Sequence, residues 1–578
     1  METERRTPAL QAGRRTAGAA LLGWLDDPRA PRLCRVTGSA GSGKSHLLAW
    51  LLALGTAPDA PPGHRVHAAL PAEGLDVRGA LWLLGSQLGY VARTPEELCA
   101  ALDEDGRRTV ICVPELDRAA DPTRLAAELL DPLLALPHFR LVVVGAPEAS
   151  FTSVAEPAVL DLDDPRWTDR ERFDAWCARA GHDPAGYPSP GRALGRPAPQ
   201  PPTAAELLAR VPRTADGALD LPAAGEEVLT GLWIAAARAG DLGPLAADPL
   251  LHVLARPAAV TAALTGREDP VAAAWDAAGP ALIDLPDAPG RAHTLRARLL
   301  GTAPEAAARL ATLPAPWSAR WARWEPGTAL GTIQGEHWLV VDRNGTVRRH
   351  SAANGAVVGL VPVAEPRPLQ ALTVTAGGTL VLLDTWGGTE LLAPTRPAPG
   401  LEPYALDEAL ARLRAAASAP TAVAAAADLP AAAPALGDAA GAVHWYQDGQ
   451  VRSAELHTGP VTALAALALG PEDVPLLAGG GYDGTVRLWG PDGEPMTEPA
   501  DRRPAPVTAV ALASGADGLL LAAAWSDGLI RVRRPELPGR PLDLRLGSPA
   551  RALDFHGETL LIALDDGLLA ADLRRLGD

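Results

Sequence analysis

The 578-residue sequence predicts a multidomain protein: an α/β core, an α-helical middle region and an all-β C-terminal third. Three observations carry this assignment. Short apolar runs alternate with helix-length apolar segments over residues 1–165, which is the pattern of a parallel sheet covered by helices. Helical spacing of apolar residues dominates 166–315. From 316 to 578, short β-like runs recur between Asp-Gly and Asn-Gly turns, with Asp483 and Asp527 lying 44 residues apart.

The bulk composition bounds the function. A hydrophobic share of 47% with 21% charged residues is globular, and the length exceeds what one core supports. The formal net charge of −17 argues against sequence-independent binding of nucleic acid or anionic lipid, which needs basic stripes. The four cysteines (Cys34, Cys99, Cys112, Cys177) are widely spaced and form no C-x-x-C pair. Cys34 and Cys112 sit in apolar runs that read as buried strands. Few cysteines, no signal-like leader in Met1–Arg15 and no long uncharged apolar run suit a cytoplasmic protein without a membrane span.

In the first region, Arg32–Thr37 reads as a strand that ends at Gly38. Residues 38–45 are Gly-Ser-Ala-Gly-Ser-Gly-Lys-Ser, and a helix follows with Leu47, Leu48, Trp50, Leu51, Leu52 and Leu54. Strand, glycine loop and helix form the context in which G-x-x-x-x-G-K-[ST] cradles phosphates. Lys44 is the only lysine in the chain; every other basic residue counted among the 52 Lys and Arg is arginine. A compact ammonium reaches between phosphates where a planar guanidinium does not fit the same loop. Gly38, Ser39, Ala40, Gly41, Ser42, Gly43, Lys44, Ser45 and His46 are therefore the candidate nucleotide contacts, with ATP or ADP as cofactor. Ser45 is placed to ligate Mg²⁺. With no second lysine there is no N-K-x-D guanine loop.

Further strands are expected at Arg65–Leu70, Thr109–Val113, Leu141–Val144 and Ala158–Leu162, with helices at Val77–Val91 and Pro122–Leu134. After Thr109–Val113 the chain reads Pro114-Glu115-Leu116-Asp117-Arg118. This resembles the D-x-L-D-E ending of Walker B strands in STAND-type regulatory ATPases of actinobacteria. Pro114 stands at the first Asp and Arg118 at the Glu. Asp117 matches the middle acid and becomes the candidate second metal ligand beside Ser45. Asp117 and Glu115 are the candidate catalytic acids. Where that family has a Ser-Arg pair after the next strand, this chain has Gly145-Ala146-Pro147-Glu148. Val159–Trp167 also resembles the family's exit from the ATPase core, and its carboxylates read as a solvated turn. The altered positions predict binding with weak or absent hydrolysis.

The middle region divides at a proline-rich loop, 187–202. Helices are expected at Asp169–Ala180, Thr203–Arg210, Glu226–Ala239, Pro249–Leu264, Pro270–Ile283 and Gly290–Leu310, and Thr203–Glu206 fits a capping box. No catalytic constellation appears there.

The repeats centre on Asp342, Asp384, Asp438, Asp483, Asp527 and Asp566, giving six recognisable units. They resemble WD repeats, each a four-stranded blade, so a propeller of six or seven blades is expected. A helical insert is predicted at 401–417, and Trp317–Trp324 supplies a ring-closing outer strand. His457 and Asp483 match the residues that brace such blades. The combined resemblance implies an ATP/Mg²⁺-dependent switch that oligomerises with nucleotide state and contacts protein partners through its propeller. About 30 residues precede the first strand, so a separate effector protein is expected. Two alternatives accompany that reading: a non-catalytic scaffold holding nucleotide structurally, and an active ATPase using Glu115.

Overall fold

The computed structural model describes residues 9–573, apart from 146–150, 196, 198–199, 326, 395–397, 431, 448, 471, 516 and 538. The chain forms two compact units, Met1–Arg267 and Glu268–Asp578. The helical stretch 166–315 is thus shared between them rather than forming a region of its own.

The first unit is built on a five-stranded parallel sheet. Its strands are β1 (Leu33–Thr37), β2 (Ala68–Ala69), β3 (Thr109–Val113), β4 (Phe139–Val144) and β5 (Ala158–Asp161), in the order β2-β3-β4-β1-β5. β3 and β4 are buried at every position, as expected of strands covered on both faces. Helix α1 (Arg15–Asp26), which sequence reading missed, and α2 (Lys44–Gly55) bury Leu21, Leu25, Leu47, Leu48 and Leu51 against Cys34, Val36, Val110 and Val142.

Several expected elements are shorter or divided. The strand expected at Arg65–Leu70 contracts to two residues. Pro122–Leu134 becomes two short α-helical pieces around a π-turn at Ala126–Leu130. Pro249–Leu264 breaks into Pro249–Leu254 and Pro257–Leu264, because a proline removes an N–H and crowds the preceding turn. Thr203 and Glu206 do form the reciprocal capping box. The proline-rich loop holds a short helix, Pro190–Leu194.

The second unit begins with helices Pro270–Asp284, Ala288–Leu299 and Pro304–Leu310 and continues into a six-bladed β-propeller. The blades occupy 328–361, 369–392, 420–455, 461–502, 507–545 and 550–573. Trp317–Arg323 pairs with Gly567–Leu573 as the outer strand of the sixth blade and closes the ring. The second blade has three strands; helix Pro403–Ala416 follows it and packs Leu406, Leu410 and Leu413 against Val381, Val423 and Leu436 of blades two and three. Trp338, Trp445 and Trp525 are fully buried blade core.

The recurring Asp is explained by the turn between the second and third strands. In blades one to three it stands first in a four-residue turn that ends in a positive-φ glycine: Asp342 with Gly345, Asp384 with Gly387, Asp438 with Gly441. One carboxylate oxygen then accepts from two turn amides, as Asp384 does from Trp386 and Gly388 at 2.9 and 2.8 Å. In blades four and five the Asp moves to third place; within the turn Asp483 accepts from the Thr485 amide and Asp527 from the Leu529 amide.

Candidate functional site

The glycine loop leaves the carboxyl end of β1 between β4 and β5, and α2 starts at its far side. In an open parallel sheet this crevice is where ligands collect. Gly38, Gly41 and Gly43 adopt φ of +133°, +80° and +100°, a curl that side-chain-bearing residues resist. The Lys44 ammonium folds back on the loop and donates to the carbonyls of Gly38 and Ser39 at 2.7 and 2.9 Å. Burial lowers its proton affinity, opposed in order by Asp163, Asp117, Asp161 and Glu115. Those carboxylates therefore share the electrostatic neighbourhood of the chain's one lysine. Ser45 is exposed. Among the described residues, the Ser42 hydroxyl oxygen and His46 Nε2 are buried without hydrogen-bond partners.

Two residues that sequence reading did not select hold the loop in place. Arg14, 1% exposed, donates Nε to Ser42 O, Nη1 to Thr168 Oγ1 and Nη2 to Leu162 O, at 2.8–2.9 Å. Burial pushes its guanidinium down to about 10, against Asp163 and Asp161. Asp163 lies in the acidic run after β5 that reads as a solvated turn. Instead its carboxylate accepts from the Ser39 amide at 2.7 Å and the Ser39 hydroxyl at 2.9 Å, and from Ser189. Burial opposes its ionisation, but the bonds from Ser189 and Ser39 outweigh that and hold it below the usual carboxylate range. No local signal marks either residue: their partners lie 26 to 154 residues away in sequence.

The candidate catalytic acids occupy different settings. Glu115 sits at φ +55°, with its carboxylate 3.6 Å from the Arg118 guanidinium, which also approaches Glu73 at 3.7 Å. Asp117 is exposed in the turn that follows and contacts Gly145 at the end of β4. Ala146, Pro147 and Glu148, which replace the expected Ser-Arg pair, lie outside the described residues. Among the described residues no group of three or more His, Cys, Asp or Glu side chains could hold a metal ion.

In the propeller, His457 Nδ1 lies 3.2 Å from Asp483 Oδ1 and 3.0 Å from Thr485 Oγ1. His444 makes the equivalent brace to Asp438 and Ser453. These groups are structural. Burial opposes ionisation of Asp438 and Asp483, yet backbone amides and the neighbouring histidine bring both down to about 2. Trp386 (78% exposed) and Tyr482 (64%) each lie in the turn between the second and third strands of their blades and therefore on the same end of the ring.

The fold thus defines a six-bladed β-propeller protein that also carries a five-stranded parallel α/β sheet. No family model matches the chain, and no curated protein matches it. Solved structures similar to it include the computationally designed Ika8 protein (17% identity, 43% of this chain and 71% of that chain, TM-score 0.27). Others are the β-propeller domain of Cps50 (Swd1) from Myceliophteria thermophila (11%, 44% and 99%, TM-score 0.33) and the WD40 repeats of RRP9 (13%, 44% and 99%, TM-score 0.28). The strand order of this chain itself establishes the ring. Among the described residues no helix is long and apolar enough to cross a membrane.

Proposed function

We propose that this chain is an ATP/Mg²⁺-binding regulatory protein with a STAND-like α/β core, whose propeller recruits protein partners and whose hydrolysis is slow or absent. One observation carries the reading: the single lysine lies in a positive-φ glycine loop, at the start of a twelve-residue helix, at the carboxyl end of a parallel strand. Helix dipole and ammonium both favour a polyphosphate there.

The residues fit that group. The Ser42 hydroxyl is buried with no hydrogen-bond partner among the described residues, and the loop glycines hold a positive-φ curl. Ser45 and Asp117 would hold Mg²⁺ together with phosphate oxygens, which suits an ion that prefers few protein ligands and retains water. When bound, the metal neutralises charge on the phosphates. Lys44 orients the tail, and Arg14 fixes the loop from behind.

Slow turnover is supported by Glu115. Its carboxylate is engaged 3.6 Å from the guanidinium of Arg118, the residue that stands where the resembled family has its water-polarising Glu. For the propeller, Trp386 and Tyr482 are suited to anchor a protein partner. Nucleotide-dependent assembly and a separate effector belong to the same proposal.

The test is calorimetry with ATP, ADP and GTP plus Mg²⁺ on wild type and Lys44→Ala, alongside turnover measurements on wild type and Glu115→Gln. Adenine nucleotide binding that Lys44→Ala weakens about tenfold or more supports the reading, since charge-assisted hydrogen bonds contribute about 1.5–3 kcal/mol. A folded wild type that binds none of the three overturns it. Turnover above about 1 per second that depends on Glu115 would identify an active ATPase instead.

A further inference from the structure

The segment Ser189–Arg192 is laid directly on the first half of the glycine loop. A Cβ on Gly191 would come within 2.5 Å of Ser39 Oγ, 2.6 Å of Ala40 O and 2.7 Å of the Ser42 amide, so only glycine permits this approach. Ser189 is fully buried and donates its hydroxyl to Asp163. Arg192 Nε lies 3.4 Å from the same carboxylate. Asp163 meanwhile binds the amide and hydroxyl of Ser39, whose carbonyl accepts from Lys44. One carboxylate thus joins the segment to the loop, and it flanks the same residue as the ammonium.

We propose that Asp163 is a specificity-determining residue of the loop: it fastens Ser189–Arg192 in place, and its charge disfavours a nucleoside triphosphate relative to a diphosphate. This rests on the nucleotide reading above. In a glycine loop of this kind the lysine reaches the outer phosphates. The terminal phosphate of a triphosphate therefore arrives beside Ser39, and its added negative charge faces Asp163. A diphosphate lacks that group. Like charges brought together at a partly buried site repel more strongly than in bulk water. Arg192 offsets part of this repulsion, but its guanidinium is largely exposed.

Asp163→Asn keeps the shape and an acceptor for Ser39 while removing the charge. Ser189→Ala loosens the fastening and leaves the charge. Calorimetry with ATP and ADP at one fixed excess of Mg²⁺ reads the first effect, and trypsin cleavage after Arg192 in nucleotide-free protein reads the second. The expected result is a shift of the ATP-to-ADP affinity ratio toward ATP by about tenfold in Asp163→Asn, equivalent to about 1.4 kcal/mol. Ser189→Ala should change that ratio little, and both variants should be cleaved faster than wild type. Equal ratios in wild type and Asp163→Asn, with both nucleotides bound, overturn the specificity role and leave the nucleotide site standing. Unchanged cleavage in both variants overturns the fastening. Absence of binding to wild type removes the underlying reading and this inference with it.

Discussion

Gly145 leaves room for Asp117. A Cβ placed on Gly145 would lie 2.0 Å from Asp117 Oδ1 and 3.2 Å from its backbone nitrogen. Gly145 also holds φ at +77°. The end of β4 thereby sets where the candidate metal ligand after β3 can stand.

Gly145→Ala should displace Asp117 and cost about 1 kcal/mol or more of stability, because alanine resists positive φ. In nucleotide titrations the variant should lose the affinity gained from added Mg²⁺ while keeping metal-free binding. An unaltered magnesium effect would remove Asp117 from the metal site.

Lys44→Arg preserves charge and should still fail. The guanidinium is planar and wider than the ammonium that reaches the Gly38 and Ser39 carbonyls. Affinity for ATP should resemble that of Lys44→Ala within about threefold, both falling roughly tenfold or more below wild type. Wild-type affinity in the arginine variant would refute the geometric argument.

Arg14→Met should destabilise the first unit by about 3 kcal/mol or more, since it leaves the buried Ser42 and Leu162 carbonyls unpaired. Chemical denaturation followed by tryptophan fluorescence checks this. A loss below about 1 kcal/mol would mean that the loop is held by other means.

Acid and base should act on the propeller in opposite senses. Asp554 accepts from the amides of Ile333 and Phe555, at 2.7 and 2.9 Å, where the last blade meets the first. Burial pushes its carboxyl up to about 6, and those amides only partly oppose this. A raised value means that its contribution is fully present below about pH 4 and is lost as pH rises through 6. Asp554→Asn should therefore raise the melting temperature at pH 7.5, with the gain shrinking toward pH 4.5. For Asp438 and Asp483 the values are depressed to about 2, so their contribution is present above about pH 4 and is lost as pH falls through 2. Asp483→Ala should cost about 2 kcal/mol at pH 7, and less in acid. Melting curves across that range test both signs.

What the sequence disclosed was local chemistry. The glycine loop and Lys44 are legible because their spacing is contiguous. The propeller is legible because each blade needs an Asp and a glycine in the same turn, and buried tryptophans mark its strands. Blade number was harder to read, since Asp342, Asp384 and Asp438 stand two places earlier in the turn than Asp483 and Asp527. Arg14, Asp163 and Ser189 were not legible. Each belongs to a residue type that is ordinarily solvated, and only the folded chain brings their partners together. The run Trp317–Trp324 was anticipated as the closing strand, and Trp317–Arg323 forms it.

That closing strand imposes an order on biosynthesis. Trp317–Arg323 leaves the ribosome more than two hundred residues before its partner, Gly567–Leu573, exists. Until Gly567–Leu573 has been made, the nascent ring stays open and presents unpaired amides and carbonyls at its seam. Chaperone dependence, or sensitivity to premature stop codons, should therefore extend through the codons for Gly567–Leu573.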